Sequence, residues 1–187
     1  MAGRRDDRRV QFTKKLLRES MITHLRQKPV HKMTVTELCE GADINRGTFY
    51  SHFTDQYDLF VHTENTAIEE ISRFIMAIPA ENSEEGVKKA CRNLYRYISE
   101  KEFLWRSLLG KNGNADICKK IIDLCYGDYL TKKGLTPETC DDATKLRYTF
   151  LLMGGIGMTK RWLEEEIDQT PDQLAVILAG FVLKPRN

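Results

Sequence analysis

No apolar run in these 187 residues approaches the roughly 20 that a membrane-spanning helix needs, so a membrane-embedded helical protein is not expected. Strictly alternating apolar and polar segments, internal repeats and low-complexity tracts are missing too, and with them any β-rich, solenoid or disordered architecture. The five cysteines, Cys39, Cys91, Cys118, Cys125 and Cys140, include no close-spaced pair. They encode neither a disulfide framework nor a zinc site, and small buried hydrophobes in a reducing cytoplasm are expected instead. His24, His31, His52 and His62 show no HExxH-type spacing, and no glycine-rich phosphate loop accompanies them. Glu164-Glu165-Glu166 after Lys160-Arg161 fits a solvated helix face, not a catalytic carboxylate pair. Nothing here calls for a catalytic residue, a metal or a cofactor, and an enzyme is not expected. The opening MAGRRDDRRVQF is basic but has no apolar segment behind it, so a secretory signal is not expected either.

What is present is charge asymmetry and helical periodicity. Residues 1–32 hold ten basic and three acidic side chains, a local net of +7; with a chain total of +2, the other 155 residues carry −5. Positive charge gathered at one end suits attraction to phosphates. Leu17, Met21, Ile22 and Leu25 recur at helical spacing from about Arg8 to Lys28, and Pro29 closes that run. Thr54-Asp55 offers an N-cap to a long helix through Phe60, Ile68 and Ile75, ended before Pro79. Ser83 with Glu84 and Glu85 marks the next start, the acids matching the positive end of the helix dipole. A further apolar turn or two over 103–109 is broken by Gly110 and Asn112-Gly113, and a helix over Ile117–Tyr129 ends near Gly134. Thr136-Pro137 and Thr170-Pro171 each pair a capping hydroxyl with a proline at the first helical position, predicting helices from Pro137 to Ile167 and from Pro171 to Leu183. The expected architecture is all-α, with about nine helices.

One segment, TVTELCEGADINRGTFYSHF over 34–53, carries most of the functional information. Thr34 and Glu37 are spaced for a reciprocal capping box, and Val35, Leu38, Cys39 and Ala42 form one apolar stripe. Asn45 is a good N-cap for a second, short helix. Phe49 and Phe53 fall on its buried face, leaving Arg46, Gly47, Thr48, Tyr50, Ser51 and His52 outside. Such a helix suits insertion of its N-terminal end into the DNA major groove. Alone, the same pattern better fits an ordinary αα-hairpin whose polar face merely meets water; the basic, all-helical surroundings reverse that order.

The chain resembles the TetR/AcrR family of one-component transcriptional regulators. The likeness rests on the basic first helix with Thr13-Lys14, on the 34–53 motif and on Asp55-Gln-Tyr-Asp-Leu59 after it, about the first third of the chain. Leu108–Gly113 and Gly154–Leu163 also look like one C-terminal subtype of that family. Two positions depart from the pattern: Asp43 stands where the turn often has glycine, and Gln56 where a phosphate-contacting lysine is common. Aspartate tolerates the left-handed conformation better than most residues. A neutral amide releases no counterion, so non-specific binding should weaken slightly.

The resemblance implies a three-helix DNA-binding domain over 8–54 and a helical effector-binding and dimerisation domain over 55–187. Asn45, Arg46, Gly47 and Thr48 would read bases of a double-stranded operator, with Thr13, Lys14, Thr34, Thr36, Tyr50, Ser51 and His52 on phosphates. The three glycines Gly154, Gly155 and Gly157 cost a helix about 1 kcal/mol each relative to alanine, which calls for a compensating close approach. A homodimer through Gly154, Gly157, Met158, Leu174, Ile177, Leu178 and Phe181 is therefore expected, with close packing inside one copy as the alternative. Tyr95, Tyr97, Phe103, Trp105, Met153 and Trp162 are candidate lining for a small-molecule effector pocket, or plain core. A cytoplasmic, ligand-released repressor is the reading favoured. A regulator of the same fold controlled by a protein partner, and an all-α interaction module, are the alternatives.

Overall fold

A computed structural model describes residues 3–78, 83–110, 116–164 and 167–183, with side chains from Arg8 onward. The side chains of Arg4 and Arg5, the stop at Pro79, the break at Asn112-Gly113 and Glu165-Glu166 lie outside the described residues. Among the described residues there are nine α-helices and no strand, so the fold is all-α. The helices are α1 (Gly3–Leu25), α2 (Val35–Ala42), α3 (Arg46–Tyr50), α4 (Gln56–Met76), α5 (Glu84–Glu100), α6 (Glu102–Leu109), α7 (Ile117–Lys133), α8 (Asp142–Leu163) and α9 (Pro171–Val182). None is long and apolar enough to cross a membrane among the described residues. The chain forms two compact units, Met1–Ala67 and Ile68–Asn187.

The first unit packs Leu17 and Met21 of α1 against Leu38, Cys39 and Ala42 of α2, with Phe49 and Phe53 completing the core and Leu59 of α4 beneath them. Helices α1 and α2 approach closely at Gly41. A Cβ built there would stand 2.5 Å from Ser20 Oγ and 2.9 Å from His24 Cε1. The Ser20 hydroxyl is pinned, since it donates to the Leu38 carbonyl at 2.9 Å inside the core. Helix α1 stops at Leu25, three residues short of the expected end, as Gln27 and Lys28 turn their amides onto the His24 carbonyl.

The second unit is built on α5, whose Val87, Cys91, Leu94, Tyr95 and Ile98 are buried. Helix α9 packs along it through Leu174, Ala175, Leu178 and Ala179, while α6, α7 and α8 add Trp105, Ile121 and Leu152. Ser83 caps α5 by accepting from the Gly86 amide, and Thr170 and Gln173 close a reciprocal box on α9, both as expected. The start of α8 differs from the Pro137 expectation. Thr136 and Thr139 tie each other into a turn through Thr136 N to Thr139 Oγ1 at 2.8 Å, and the helix begins only after Asp141, whose carboxylate accepts from the Thr144 amide. The aspartate, a stronger acceptor at the positive helix end, takes the cap that Thr136 was assigned. All five cysteines are free, four of them buried; burial pushes the Cys91 thiol up to about 11 and Cys125 up to about 12.

Substituting Gly41→Ala is expected to destabilise the first unit. Overpacking of about 1–3 kcal/mol outweighs the gain of about 1 kcal/mol in helix propensity. Thermal melting followed by circular dichroism checks this, and adding Ser20→Ala should recover part of the loss. An unchanged melting temperature for the single variant would mean the serine swings aside freely.

Candidate nucleic-acid interface

The two motif helices are fixed by local hydrogen bonds that their sequence specifies. Thr34 Oγ1 accepts from the Glu37 amide at 3.3 Å, and Glu37 Oε2 accepts from the Thr34 amide at 2.9 Å, closing the capping box at the start of α2. The Thr34 hydroxyl donates to the same carboxylate oxygen at 2.9 Å. An unforeseen partner completes the group: Lys28 Nζ lies 2.6 Å from Glu37 Oε1. The Lys28 ammonium, then the amide and hydroxyl of Thr34, hold the Glu37 carboxyl down at about 2. Lys28 is thereby withdrawn from the pool of basic groups near the amino end.

The turn from α2 to α3 depends on Asp43, whose backbone sits at φ 53°, ψ 44°. Its amide donates to the Glu40 carbonyl at 3.2 Å, and the Ile44 amide reaches back to Cys39 at 2.9 Å. That is a Schellman closure, usually made by glycine. Glycine does make it at the end of α7, where Gly134 (φ 63°) and Leu135 bond the same way onto Thr131 and Leu130. Aspartate in a position where glycine is usual therefore keeps the turn.

Helix α3 has only five residues. Asn45 Oδ1 accepts from the Thr48 amide at 2.7 Å, and Ser51 Oγ donates to the Thr48 carbonyl at 2.7 Å. Phe49 is fully buried and stacks obliquely on Phe53, ring centres 5.8 Å apart. With that side anchored, Asn45, Arg46, Gly47, Tyr50 and Ser51 are exposed, Thr48 and His52 half-buried. Arg46 donates to the Tyr50 hydroxyl at 3.3 Å and lies over its ring at 5.8 Å, so the two side chains share one outward ridge. The Asn45 carbonyl oxygen is spent on the cap, which leaves its amide hydrogens to donate outward.

Around this ridge, Thr36 is exposed and Lys14 is half-buried, its ammonium 5.8 Å from the Phe53 ring. Thr34 is exposed, but its hydroxyl is occupied in the cap. Thr13 is the exception among the expected phosphate contacts. It is only 7% exposed on α1, the least accessible of them. Gln56 opens α4 half-buried behind Asp55, whose Oδ1 accepts from the Tyr57 and Asp58 amides at 2.9 Å each.

A family model described as bacterial regulatory proteins, tetR family, matches residues 24–63, which span the end of α1, both motif helices and the start of α4. Over those residues this chain is similar to the TetR family. No significant sequence match is found among curated proteins. Solved structures of the same fold include a TetR transcriptional regulator from Streptococcus agalactiae (18% identity, TM-score 0.62, covering 97% of this chain and 99% of that one). Another is a TetR-family transcriptional regulator from Streptomyces coelicolor (13%, 0.69, 90% and 78%). A third is the regulator FadR from Bacillus subtilis in complex with stearoyl-CoA (12%, 0.63, 92% and 99%). At these identities the likeness is one of fold.

The second unit holds a cavity of about 650 Å³ among α4, α5, α6, α7, α8 and α9. None of the six residues expected to line an effector pocket lines it. Tyr95 and Trp105 are fully buried core, and Trp162 packs edge-on to Tyr95 at 5.9 Å while donating to the Gln169 carbonyl. Phe103 and Met153 face outward. Tyr97 stacks on Phe74 at 4.5 Å and borders a separate cleft of about 730 Å³, where Glu70 already accepts from Tyr97 and Lys101. The rings are used up on one another, and the cavity wall is left to scattered aliphatics such as Ile71, Leu94 and Ile121, which carry no distinctive sequence signal.

The expected dimer residues also divide. Leu174 and Leu178 are buried against α5 within the unit, and Met158 is half-buried. Gly154, Gly157, Ile177 and Phe181 are exposed, and they continue into Leu146, Phe150, Met153 and Val176, an apolar face on α8 and α9 that the sequence reading captured only in part.

The stability supplied by Glu37 has a definite pH window. A carboxylate with a depressed pKa contributes fully above its ordinary value of 4.5, and the contribution fades as pH falls towards about 2. The stability gap between the wild type and Glu37→Gln should therefore be widest above about pH 4.5 and close towards about pH 2. Urea unfolding across that range measures it; a gap that ignores pH would show that the cap does not use the charge.

Proposed function

We propose that this chain is a homodimeric repressor that reads a near-palindromic operator through α3 and is released by a small molecule bound in its second unit. The observation that carries the reading is the two-sidedness of α3: an anchored aromatic side and an outward ridge of Asn45, Arg46, Gly47 and Thr48. Arg46 would pair with guanine O6 and N7, and Gly47 would let the backbone approach the groove. Lys14, Thr36, Tyr50, Ser51 and His52 would hold phosphates, with Thr34 contributing what its cap leaves free. Selection of bound duplexes from random oligonucleotides tests this. A two-fold symmetric site with half-sites roughly 34–36 Å apart, or a multiple, is the expected product.

The exposed apolar face supports dimerisation. Phe150 and Phe181 are 69% and 60% exposed, and a Cβ added at Gly154, Gly157 or Gly180 would meet nothing within 4 Å in its own chain. Those glycines weaken their helices without easing any contact in the chain, so a second copy is the natural reason for them. A cavity of about 650 Å³ supports control by a metabolite over control by a protein partner, which would need no such space. Repression is the sign we assign; an operator whose occupancy raises transcription would reverse it.

Two substitutions separate the parts. Arg46→Ala should erase preference at one base pair, about 1–3 kcal/mol of discrimination, whereas Lys14→Ala should weaken all duplexes alike and reduce the salt slope by about 0.9. Titrations of matched and mismatched duplexes at several salt concentrations measure both, and equal effects would remove the division of labour. Phe150→Glu should turn the dimer into a monomer by light scattering and lower operator affinity while the far-ultraviolet spectrum stays folded. A variant that stays dimeric would place the interface elsewhere.

A further inference from the structure

The cavity of the second unit is polarised. Its floor is aliphatic and deep: Leu94, Ile98, Ile121 and Leu152 are each 8% exposed or less. Its charged lining is of one sign only, with Lys132 and Lys133 from the last turn of α7 and Arg147 from the second turn of α8, all exposed, and no carboxylate among the lining residues. Among the described residues neither Lys132 nor Arg147 is held in an ion pair; Arg147 donates to the Val182 carbonyl at 3.3 Å. The phenols do not supply the missing negative charge. Tyr148 is spent donating to the Cys125 carbonyl at 3.0 Å, and burial pushes its pKa far up. The nearest turn of α7 does bring Asp128, but it does not line the cavity.

A deep apolar interior with cations at the exposed rim selects one kind of molecule. A neutral hydrocarbon would leave Lys132 and Arg147 without a counter-charge, and a small polar anion would leave the aliphatic floor against water. A cationic amphiphile would meet like charge. From this polarity, and resting on the proposed ligand-controlled regulator above, we propose that the cavity binds an anionic amphiphile: an unbranched acyl or alkyl chain inside, with its acidic head at Lys132 and Arg147. Free carboxylate and coenzyme A thioester share that chemistry.

Calorimetry on the full chain without DNA, using ligands below their micellar concentrations, tests it. Across octanoate, decanoate, laurate and myristate, affinity should rise about fourfold per added methylene until the cavity is full. Laurate should bind at least tenfold more tightly than dodecanol, and dodecylamine should not bind. Lys132→Gln combined with Arg147→Gln should abolish the preference for laurate over dodecanol while leaving dodecanol affinity unchanged. Leu152→Trp, checked for an intact fold by its spectrum, should remove the dependence on chain length. Tighter binding of lauroyl-CoA than laurate would identify the thioester as the head group, and the reverse order the free acid. Equal affinity for laurate and dodecanol, or affinity indifferent to chain length, overturns the proposal. Operator release is read separately: an amphiphile that binds as described but leaves DNA bound upholds this assignment and sinks control by release.

Discussion

Everything that the first unit presents depends on the burial of Phe49. A helix of five residues has no independent stability, because the first turn costs more conformational entropy than its single hydrogen bond returns. It exists here because Phe49 is fully enclosed by α1, α2 and the start of α4, an anchorage whose removal to alanine costs about 3–5 kcal/mol in comparable cores. Burial of that one ring also decides which side chains face outward. Rotating α3 by one residue would bury Tyr50 and turn Arg46 inward, so core packing and the recognition ridge are the same constraint seen from two sides.

The caps then set where the short helix begins, and they make the region legible. Thr34 with Glu37, Asn45 with the Thr48 amide, and Thr170 with Gln173 are interactions over three residues, and their geometry follows from spacing alone. The Asp43 turn was foreseeable for the same reason, since only a few residue types accept a left-handed backbone. Thr136-Pro137 shows the limit of such rules. Two capping signals lay within six residues of each other, and sequence rank did not say that Asp141 would prevail. The Lys28 ion pair, nine positions from Glu37, lies beyond any local rule.

The second unit was less legible for a different reason. Aromatic residues stand out as candidate pocket lining, yet Tyr95 packs its ring edge-on to Trp162, and Tyr97 to Trp105. The cavity is instead the space that aliphatic side chains on six separate helices fail to fill, a property of tertiary packing with no local signature. The charges at its rim were equally hidden: Lys132-Lys133 reads as an ordinary basic helix end, and Arg147 as one cation on an exposed turn.

Helix α8 shows why the interface and the cavity could not be told apart by periodicity. Tyr148, Leu152, Gly155 and Thr159 recur at helical spacing and line the cavity, while Leu146, Phe150, Met153 and Gly157 recur at the same spacing on the exposed side. Two apolar stripes on one helix cancel the amphipathic signal that would have assigned either of them. The arrangement also bears on mechanism. A ligand shifts an equilibrium only by the difference in its affinity for two states, so an effector in this cavity must change something that the DNA-bound form requires. Helix α8 is where that can happen, because the residues that would touch a ligand and those offered to a second copy lie on opposite sides of one helix. A displacement too small to disturb the cavity wall would still move Phe150 and Gly157, and closely packed contacts of that kind respond to shifts well below a side chain's width.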